Sequence, residues 1–328
     1  MRVLRRWVDP FVVGILIALV LGLVLPVPDA LRGAIEGVGD VAVFLLFLVY
    51  GARLSTREVL GGLKNVRLQS SILGSTYLLF PLLGLSVSWV AAPIIGDALA
   101  AGVLFLSLLP STVQSSVAFV SVARGNVAGA ICAATISNLL GMVLTPLLVL
   151  WLMGASGAGG LGGLRSVLLQ LLLPFVVGQL LQPLVGTWLR AHKWLTTLLD
   201  RSTIILIVFG AVASATADGV WSSVSWVMIA ALLVISAVVL AIMLAATWWG
   251  GRGIRLNRAD RIALLMCGSK KSLATGLPMA VVLFPAATAA TIAVPLIIFH
   301  QLQLVVCAAL ARRLARNSED PGVVATQA

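Results

Sequence analysis

The sequence predicts an all-α integral membrane protein in which ten transmembrane helices form two inverted five-helix repeats, with discontinuous fourth and ninth helices that cross. Composition, apolar windows and the placement of basic residues carry that prediction. The 328 residues are 60% hydrophobic and 10% charged, with a mean hydropathy of +1.11. Soluble domains carry roughly a quarter charged residues, so this chain cannot cover a globule with polar surface. That excludes a cytosolic enzyme, a secreted domain and a disordered chain, and leaves a multi-pass protein whose solvent is lipid.

A span needs about 20 apolar residues, and ten windows qualify: 10–26, 38–52, 69–91, 98–121, 127–153, 166–188, 199–217, 226–249, 262–284 and 288–311. The first resembles a signal peptide, because basic Met1–Arg6 precedes it. However, Pro26-Val27-Pro28-Asp29 lacks the small residues of a cleavage site, so the segment is read as a span. Between the fifth and sixth windows Gly154–Gly163 has linker composition, dividing ten spans into five and five. An odd number per half makes the halves inverted. The whole chain, 1–328, reads as one membrane domain ending in a mobile cytoplasmic tail, 314–328.

Of the 22 Lys and Arg, 18 fall in connections on one side, from Arg2, Arg5 and Arg6 to Arg312, Arg313 and Arg316. Only Arg32 and Arg165 fall on the other. Positive-inside asymmetry then puts both termini in the cytoplasm of a plasma membrane, the inner membrane if the source is bacterial. The net charge of +11 is topology, and no nucleic-acid partner is implied. All nine tryptophans lie at span ends, as an aromatic belt requires. Cys132, Cys267 and Cys307 are odd in number and lie in apolar runs, so they make neither a disulfide framework nor a metal cluster. No cofactor is expected.

The apolar pattern breaks at two matching places. The fourth window holds Pro110-Ser111-Thr112-Val113-Gln114-Ser115-Ser116, where proline removes a backbone donor and polar residues crowd behind it. The ninth, its partner five spans on, holds Gly268-Ser269-Lys270-Lys271-Ser272 and then Thr275-Gly276-Leu277-Pro278. Small polar residues can merely pack helices closely. Breaks at corresponding repeat positions instead mark the binding region of inverted-repeat transporters. Lys270 lies about eight residues past the inner boundary, roughly 12 Å deep in a core about 30 Å thick. One lysine stem could snorkel back to the interface; two adjacent ones pointing about 100° apart could not do so comfortably. Every Asp and Glu falls in a loop or near a window end, so no carboxylate is expected at mid-depth. The amines are then neutral, or balanced by a bound anion or by carbonyls of broken helices; the reading preferred is a mixture, with one ammonium facing the substrate and the other at the helix crossing.

The candidate substrate-binding and coupling residues are therefore Lys270, Lys271, Ser269, Ser272, Thr112, Gln114, Ser115 and Ser116, joined by Asn138 of the fifth window and His300 of the tenth. His300 is the one histidine near enough to relay protons. Gln301 and Gln303 accompany it, and Thr76 and Pro81 interrupt the third window. The partners expected are a small organic anion, protons and the lipid bilayer.

Ala123-Arg124-Gly125-Asn126-Val127-Ala128, entering a polar fifth span that ends Leu144-Thr145-Pro146, resembles the bile acid:sodium symporter family. Cys267-Gly268-Ser269-Lys270-Lys271-Ser272-Leu273-Ala274 is similar to its divergent SBF-like branch, and the likeness covers nearly the whole chain. The resemblance implies a panel of residues 10–55 and 166–217 and a core of 66–153 and 224–313. The fourth and ninth spans would cross in the core, with substrate held between the two. In sodium-coupled relatives a glutamate and a glutamine of the ninth span bind sodium, and those positions are Met266 and Lys270 here. A third-span glutamine falls on Thr76, and fifth-span serine and threonine ligands fall on Ala130 and Ala134. Only Ser115 and Ser116 are retained.

The function expected is secondary active transport of a small organic anion by alternating access, sodium-independent or proton-coupled, with Lys270 in place of sodium. The alternative is a non-transporting membrane regulator of ion homeostasis on the same fold. An enzyme is not expected: the sequence has no His-Glu metal motif, acidic dyad or Ser-His pair at shared depth.

Overall fold

The computed structural model describes residues 10–54, 65–154, 165–166 and 168–316, and among them all regular structure is helical. Arg2, Arg5, Arg6, Trp7, Arg57, Lys64, linker residues 155–163 and the tail from 317 lie outside the described residues. Twelve segments organise the rest: α1 (Pro10–Val24), α2 (Asp29–Arg53), α3 (Val66–Ile95), α4 (Asp97–Leu108), α5 (Gln114–Val122) and α6 (Val127–Leu152), then α7 (Leu173–Ala191), α8 (Lys193–Ala217), α9 (Trp226–Gly253), α10 (Arg258–Gly268), α11 (Leu273–Leu283) and α12 (Ala286–Arg316).

Among the described residues, seven helices are long and apolar enough to cross a membrane: α2, α3, α6, α8, α9, α12 and Leu169–Ala191, which contains α7. The difference from ten windows has a local cause. The fourth window divides into α4 and α5 and the ninth into α10 and α11, each piece 9 to 12 residues long, and α1 has 15. Helix-end tryptophans Trp89, Trp151, Trp188, Trp194, Trp226 and Trp249 are exposed.

The chain divides into two units. The first comprises Met1–Ser55, Pro146–Ile229 and Ala274–Val294. Here α2 and α7 touch backbone to backbone: a β-carbon on Gly51 would overlap the Phe175 carbonyl, and one on Gly178 the Leu48 carbonyl. Small residues give this close approach in membranes, where dispersion rather than water drives association. Between α2 and α8, Tyr50 donates to Asp200 (2.5 Å) and Arg53 to Thr196 (3.2 Å), while Arg190 of α7 donates to the Arg53 carbonyl (3.2 Å).

Helix α2 corrects one expectation. It begins at Asp29, nine residues before the window, so Glu36 and Asp40 are its eighth and twelfth residues of 25 rather than end residues. Pro28, extended at φ −60° and ψ 150°, leads into the helix, and Asp29 sits in its first turn, where the helix dipole favours an anion. Glu36 accepts from Ser214 of α8 (3.3 Å). Asp40 is exposed.

The second unit comprises Thr56–Thr145, Ala230–Leu273 and Pro295–Ala328. Three asparagines start three of its helices: Asn65 accepts from the Leu68 amide (3.2 Å), Asn126 from Gly129 (2.8 Å) and Asn257 from Asp260 (2.8 Å). Each satisfies an orphan first-turn amide. The buried Asp260 carboxylate then collects the side-chain amides of Asn126 (2.6 Å), Asn65 (2.9 Å) and Asn257 (3.0 Å), tying the starts of α3, α6 and α10 together. Beneath them Leu68, Ile72, Val120, Ala133, Ile262 and Leu265 form part of an apolar core.

Candidate functional site

The site is assembled at the two chain breaks of the second unit, and the accounting of its carbonyls shows how. Helix α4 stops because Leu109 turns extended (ψ 157°) and Pro110 has no N–H to give. Four successive carbonyls then lose the helical donors they would have had. Each finds another: Leu108 accepts from Thr145 Oγ1 (2.8 Å), Leu109 from Lys271 Nζ (2.6 Å), Pro110 from the Ser272 amide (2.8 Å) and Ser111 from Asn138 Nδ2 (2.8 Å). At the end of α10 the carbonyls of Leu265, Met266 and Cys267 accept from the hydroxyls of Ser269 (2.5 Å), Ser116 (3.0 Å) and Ser111 (2.5 Å). The breaks are reciprocal: Lys271 and Ser272 serve the first, Ser111 and Ser116 serve the second. Unpaired buried backbone groups are too costly to persist, so neither break is stable without the other.

A third helix contributes through a π turn. In α3 residues Ser75–Leu79 are π-helical, and the Phe80 amide reaches back five residues to the Ser75 carbonyl. An α-helix would have sent that amide to Thr76, and Pro81 has no N–H to take its place. The Thr76 carbonyl is thereby freed, and Lys271 Nζ donates to it at 2.8 Å. The ammonium also lies 4.4 Å from the centre of the Phe80 ring, a cation–π contact. Its three N–H bonds thus meet two carbonyls and an aromatic face.

Lys270 is held differently. Its Nζ donates to Ser115 Oγ (3.1 Å) and lies 4.4 Å from the centre of the Phe119 ring, one turn further along α5. Ser115 donates to Thr112 (3.0 Å), Thr112 pairs with Ser116 (2.7 Å), and Ser116 donates to the Met266 carbonyl. Because Ser116 spends its proton on the carbonyl, Thr112 is the donor to Ser116, and the chain runs one way from ammonium to carbonyl. Both lysines are fully buried.

Gln303 of α12 grips the Lys271 backbone at both ends, accepting its amide (2.9 Å) and donating to its carbonyl (2.8 Å). The same amide nitrogen is 2.9 Å from His300 Nδ1. Since Nε2 of Gln303 can only donate, Nδ1 accepts and the His300 proton sits on Nε2. Asn138 donates to the carbonyls of Ser111 and Ala134 (2.9 Å), and the Ser111 amide donates to Ser137 Oγ (3.0 Å).

Of the residues singled out in the sequence, the structure brings together Lys270, Lys271, Ser272, Thr112, Ser115, Ser116 and Asn138, with His300 reached through Gln303. Ser269 bonds back to its own helix, and Gln114, first residue of α5, is exposed. Sequence reasoning left out Gln303 as a site residue, both aromatic faces and every carbonyl. Thr76 with Pro81 was the legible trace of the π turn, and Phe119, four residues after Ser115, shares its helix face.

Of the positions where the resemblance implies sodium ligands, those other than Ser115 and Ser116 have side chains that do not fit that ion. Met266, Ala130 and Ala134 are buried and have no side-chain oxygen, Thr76 Oγ1 donates to the Ile72 carbonyl (2.8 Å), and Lys270 brings an amine. Among the described residues no group of three or more His, Cys, Asp or Glu could hold a metal ion.

Residues 9–316 match the family described as "SBF-like CPA transporter family (DUF4137)". The candidate symporter YfeH of Escherichia coli is 41% identical over 319 residues, covering 97% of this chain and 96% of that protein. An uncharacterized Pseudomonas aeruginosa protein is 40% identical over 322 residues, 98% of this chain and 97% of its own length. Mouse sodium/bile acid cotransporter 7 is 27% identical over 310 residues, 92% of this chain and 90% of that protein. The reciprocal breaks lie within the matched residues, and the chain belongs to the SBF-like CPA transporter family.

Proposed function

We propose that this protein is a secondary active transporter of a small organic anion that works by alternating access and does not use sodium. In this reading ten spans form two inverted five-helix repeats in a plasma membrane, with both termini cytoplasmic. The panel is 10–55 with 166–217, and the core is 66–153 with 224–313. A lysine stands where sodium-coupled relatives bind their ion, and coupling is to protons or absent. Lys270, Lys271, Ser269, Ser272, Thr112, Gln114, Ser115, Ser116, Asn138 and His300 form the binding and coupling region.

One observation carries the reading: two fully buried lysines meet at paired helix breaks, and among the described residues the hydrogen bonds of their amines go to carbonyls and a hydroxyl, none to a carboxylate. Buried positive charge without an acidic partner is what an anion site requires, and intramembrane charge ordinarily serves function. The α5 N-terminus starts beside Ser115 and adds a dipole of the same sign.

The test is a thermal-shift screen of purified protein against metabolite anions, with and without sodium and across pH, followed by uptake into proteoliposomes. A stabilising anion that is taken up without sodium is expected, and Lys270→Gln should abolish uptake or change its ion dependence. Unchanged uptake with retained sodium stimulation overturns the reading. The completeness with which the break carbonyls are satisfied favours a second reading, a static regulator of ion homeostasis. Single cysteines at Ser115 and Ser269 separate the two: their labelling alternates between membrane sides in a transporter and stays fixed in a regulator.

A further inference from the structure

We propose that the two adjacent lysines have separate roles. Lys271 permanently fills a monovalent-cation seat built from backbone carbonyls, and Lys270 is the amine left to meet the anion. This reverses the expectation that Lys270 is the tethered cation. It rests on the transporter reading only for what Lys270 meets.

The seat is defined by backbone, not by side chains. The Thr76 carbonyl is released by the π turn and Pro81, and the Leu109 carbonyl by the end of α4. Both converge on Lys271 Nζ, at 2.8 and 2.6 Å, and the centre of the Phe80 ring lies 4.4 Å from the same atom. Convergent carbonyls and an aromatic face recognise alkali or alkylammonium ions. Leu109 lies at the C-terminal end of α4, where the helix dipole is negative.

Lys271 cannot easily leave. Gln303 holds its amide and carbonyl, so the stem starts from a fixed point. A cation tethered in this way competes for the seat intramolecularly, and the seat does not need sodium. Among the described residues Lys270 meets one hydroxyl and one ring face, which leaves an N–H uncommitted. Its hydroxyl chain ends on a carbonyl, which cannot pass a proton onward. The chain orients the ammonium and does not conduct.

The experiment is chemical rescue of unfolding in detergent-purified full-length protein. Lys271→Ala deletes the four side-chain atoms that n-propylammonium would replace. Unfolding temperatures are compared for the wild type, Lys271→Ala, Lys270→Ala and Lys271→Met, in n-propylammonium, sodium, potassium or choline chloride at one ionic strength. Lys271→Ala is expected to lose several degrees and to recover most of them in n-propylammonium, but not in choline, while Lys270→Ala shows no such recovery. Equal recovery in both variants, or wild-type stability in the uncharged Lys271→Met, overturns the seat. Should Lys271→Ala not accumulate, reductive methylation of the wild type by formaldehyde and dimethylamine–borane decides. Lys270 is expected to react several-fold faster than Lys271, and equal or reversed rates overturn the assignment. None of these readouts requires transport. Rescue without uptake of any anion removes the transporter reading and keeps the seat; uptake without rescue does the opposite.

Discussion

The two units solve the same problem in opposite ways. In the first, α2, α7 and α8 run on without a break, and α2 and α7 meet through glycines. In the second, α4 and α10 stop inside the unit, and of seven carbonyls at the breaks six depend on side chains and amides of other segments while that of Leu265 accepts from Ser269 at the end of its own helix. Continuous helices are held by shape and broken ones by polar partners, so each unit is sensitive to a different class of substitution. A lipid-facing span cannot leave backbone groups unpaired, so a break is tolerated only where the sequence supplies donors in number. Ser111, Ser116, Ser269, Lys271, Ser272, Asn138 and Thr145 are that supply.

The largest effect should come from shape in the first unit. Gly178→Leu puts a side chain into the Leu48 carbonyl of α2, and the contact can relieve itself only by separating two helices. Overpacking ordinarily costs about 1–3 kcal/mol and more when backbone must move; loss of monodisperse protein on size-exclusion chromatography is expected. Gly250→Ala, in open space on α9, should leave yield unchanged or raise it. Equal loss in both would break the comparison.

Polarity should dominate in the second unit. Gln303→Leu keeps volume and removes the partners of the Lys271 amide, the Lys271 carbonyl and His300 Nδ1 together. Each orphaned buried group costs about 1–3 kcal/mol, so a fall of about 3 kcal/mol is expected in denaturant unfolding. Gln303→Glu keeps the acceptor and loses the donor, and should fall between. Tolerance of Gln303→Leu would mean that the break is held by packing after all.

Asp260 offers a sharper version of the same test. Asp260→Ala strips three asparagine amides of their acceptor and should cost about 2 kcal/mol, whereas Asp260→Asn keeps one acceptor oxygen and should cost less. Hydrogen exchange is the decisive readout: the first turns of α3, α6 and α10 should open together. Faster exchange confined to α10 would show that the carboxylate serves its own helix alone.

These contrasts also explain what could be read in advance. Apolar windows and the Pro110 and Gly268 interruptions are local properties, and they marked the breaks. The start of α2 was missed because Gly33, Glu36, Gly37, Gly39 and Asp40 depress hydropathy across its first half, although the helix continues through them. Which lysine would meet the carbonyls and which the hydroxyl was not legible, because side-chain direction follows periodicity and periodicity ends where a helix breaks. A freed carbonyl leaves no trace in composition; that of Thr76 follows from where the Phe80 amide goes, a fact of three dimensions. Gln303 was visible as one polar residue among several on α12, and nothing in its spacing said that it would clasp a backbone 32 residues away.

The smallest effect should come from the polar pair of the first unit. Tyr50 and Asp200 join helices that already touch elsewhere, so their bond adds to a contact and does not create one. Tyr50→Phe removes one hydroxyl from a carboxylate. A bond to a charged group contributes about 1.5–3 kcal/mol, and neighbouring Arg53, seated on Thr196 of the same helix, can shift toward the carboxylate and recover part of it. A loss of about 1 kcal/mol is expected in thermal unfolding. If Tyr50→Phe instead matched Gln303→Leu in cost, the continuous helices would depend on polar bonds as heavily as the broken ones. The contrast between the units would then lie in geometry alone, not in what holds them.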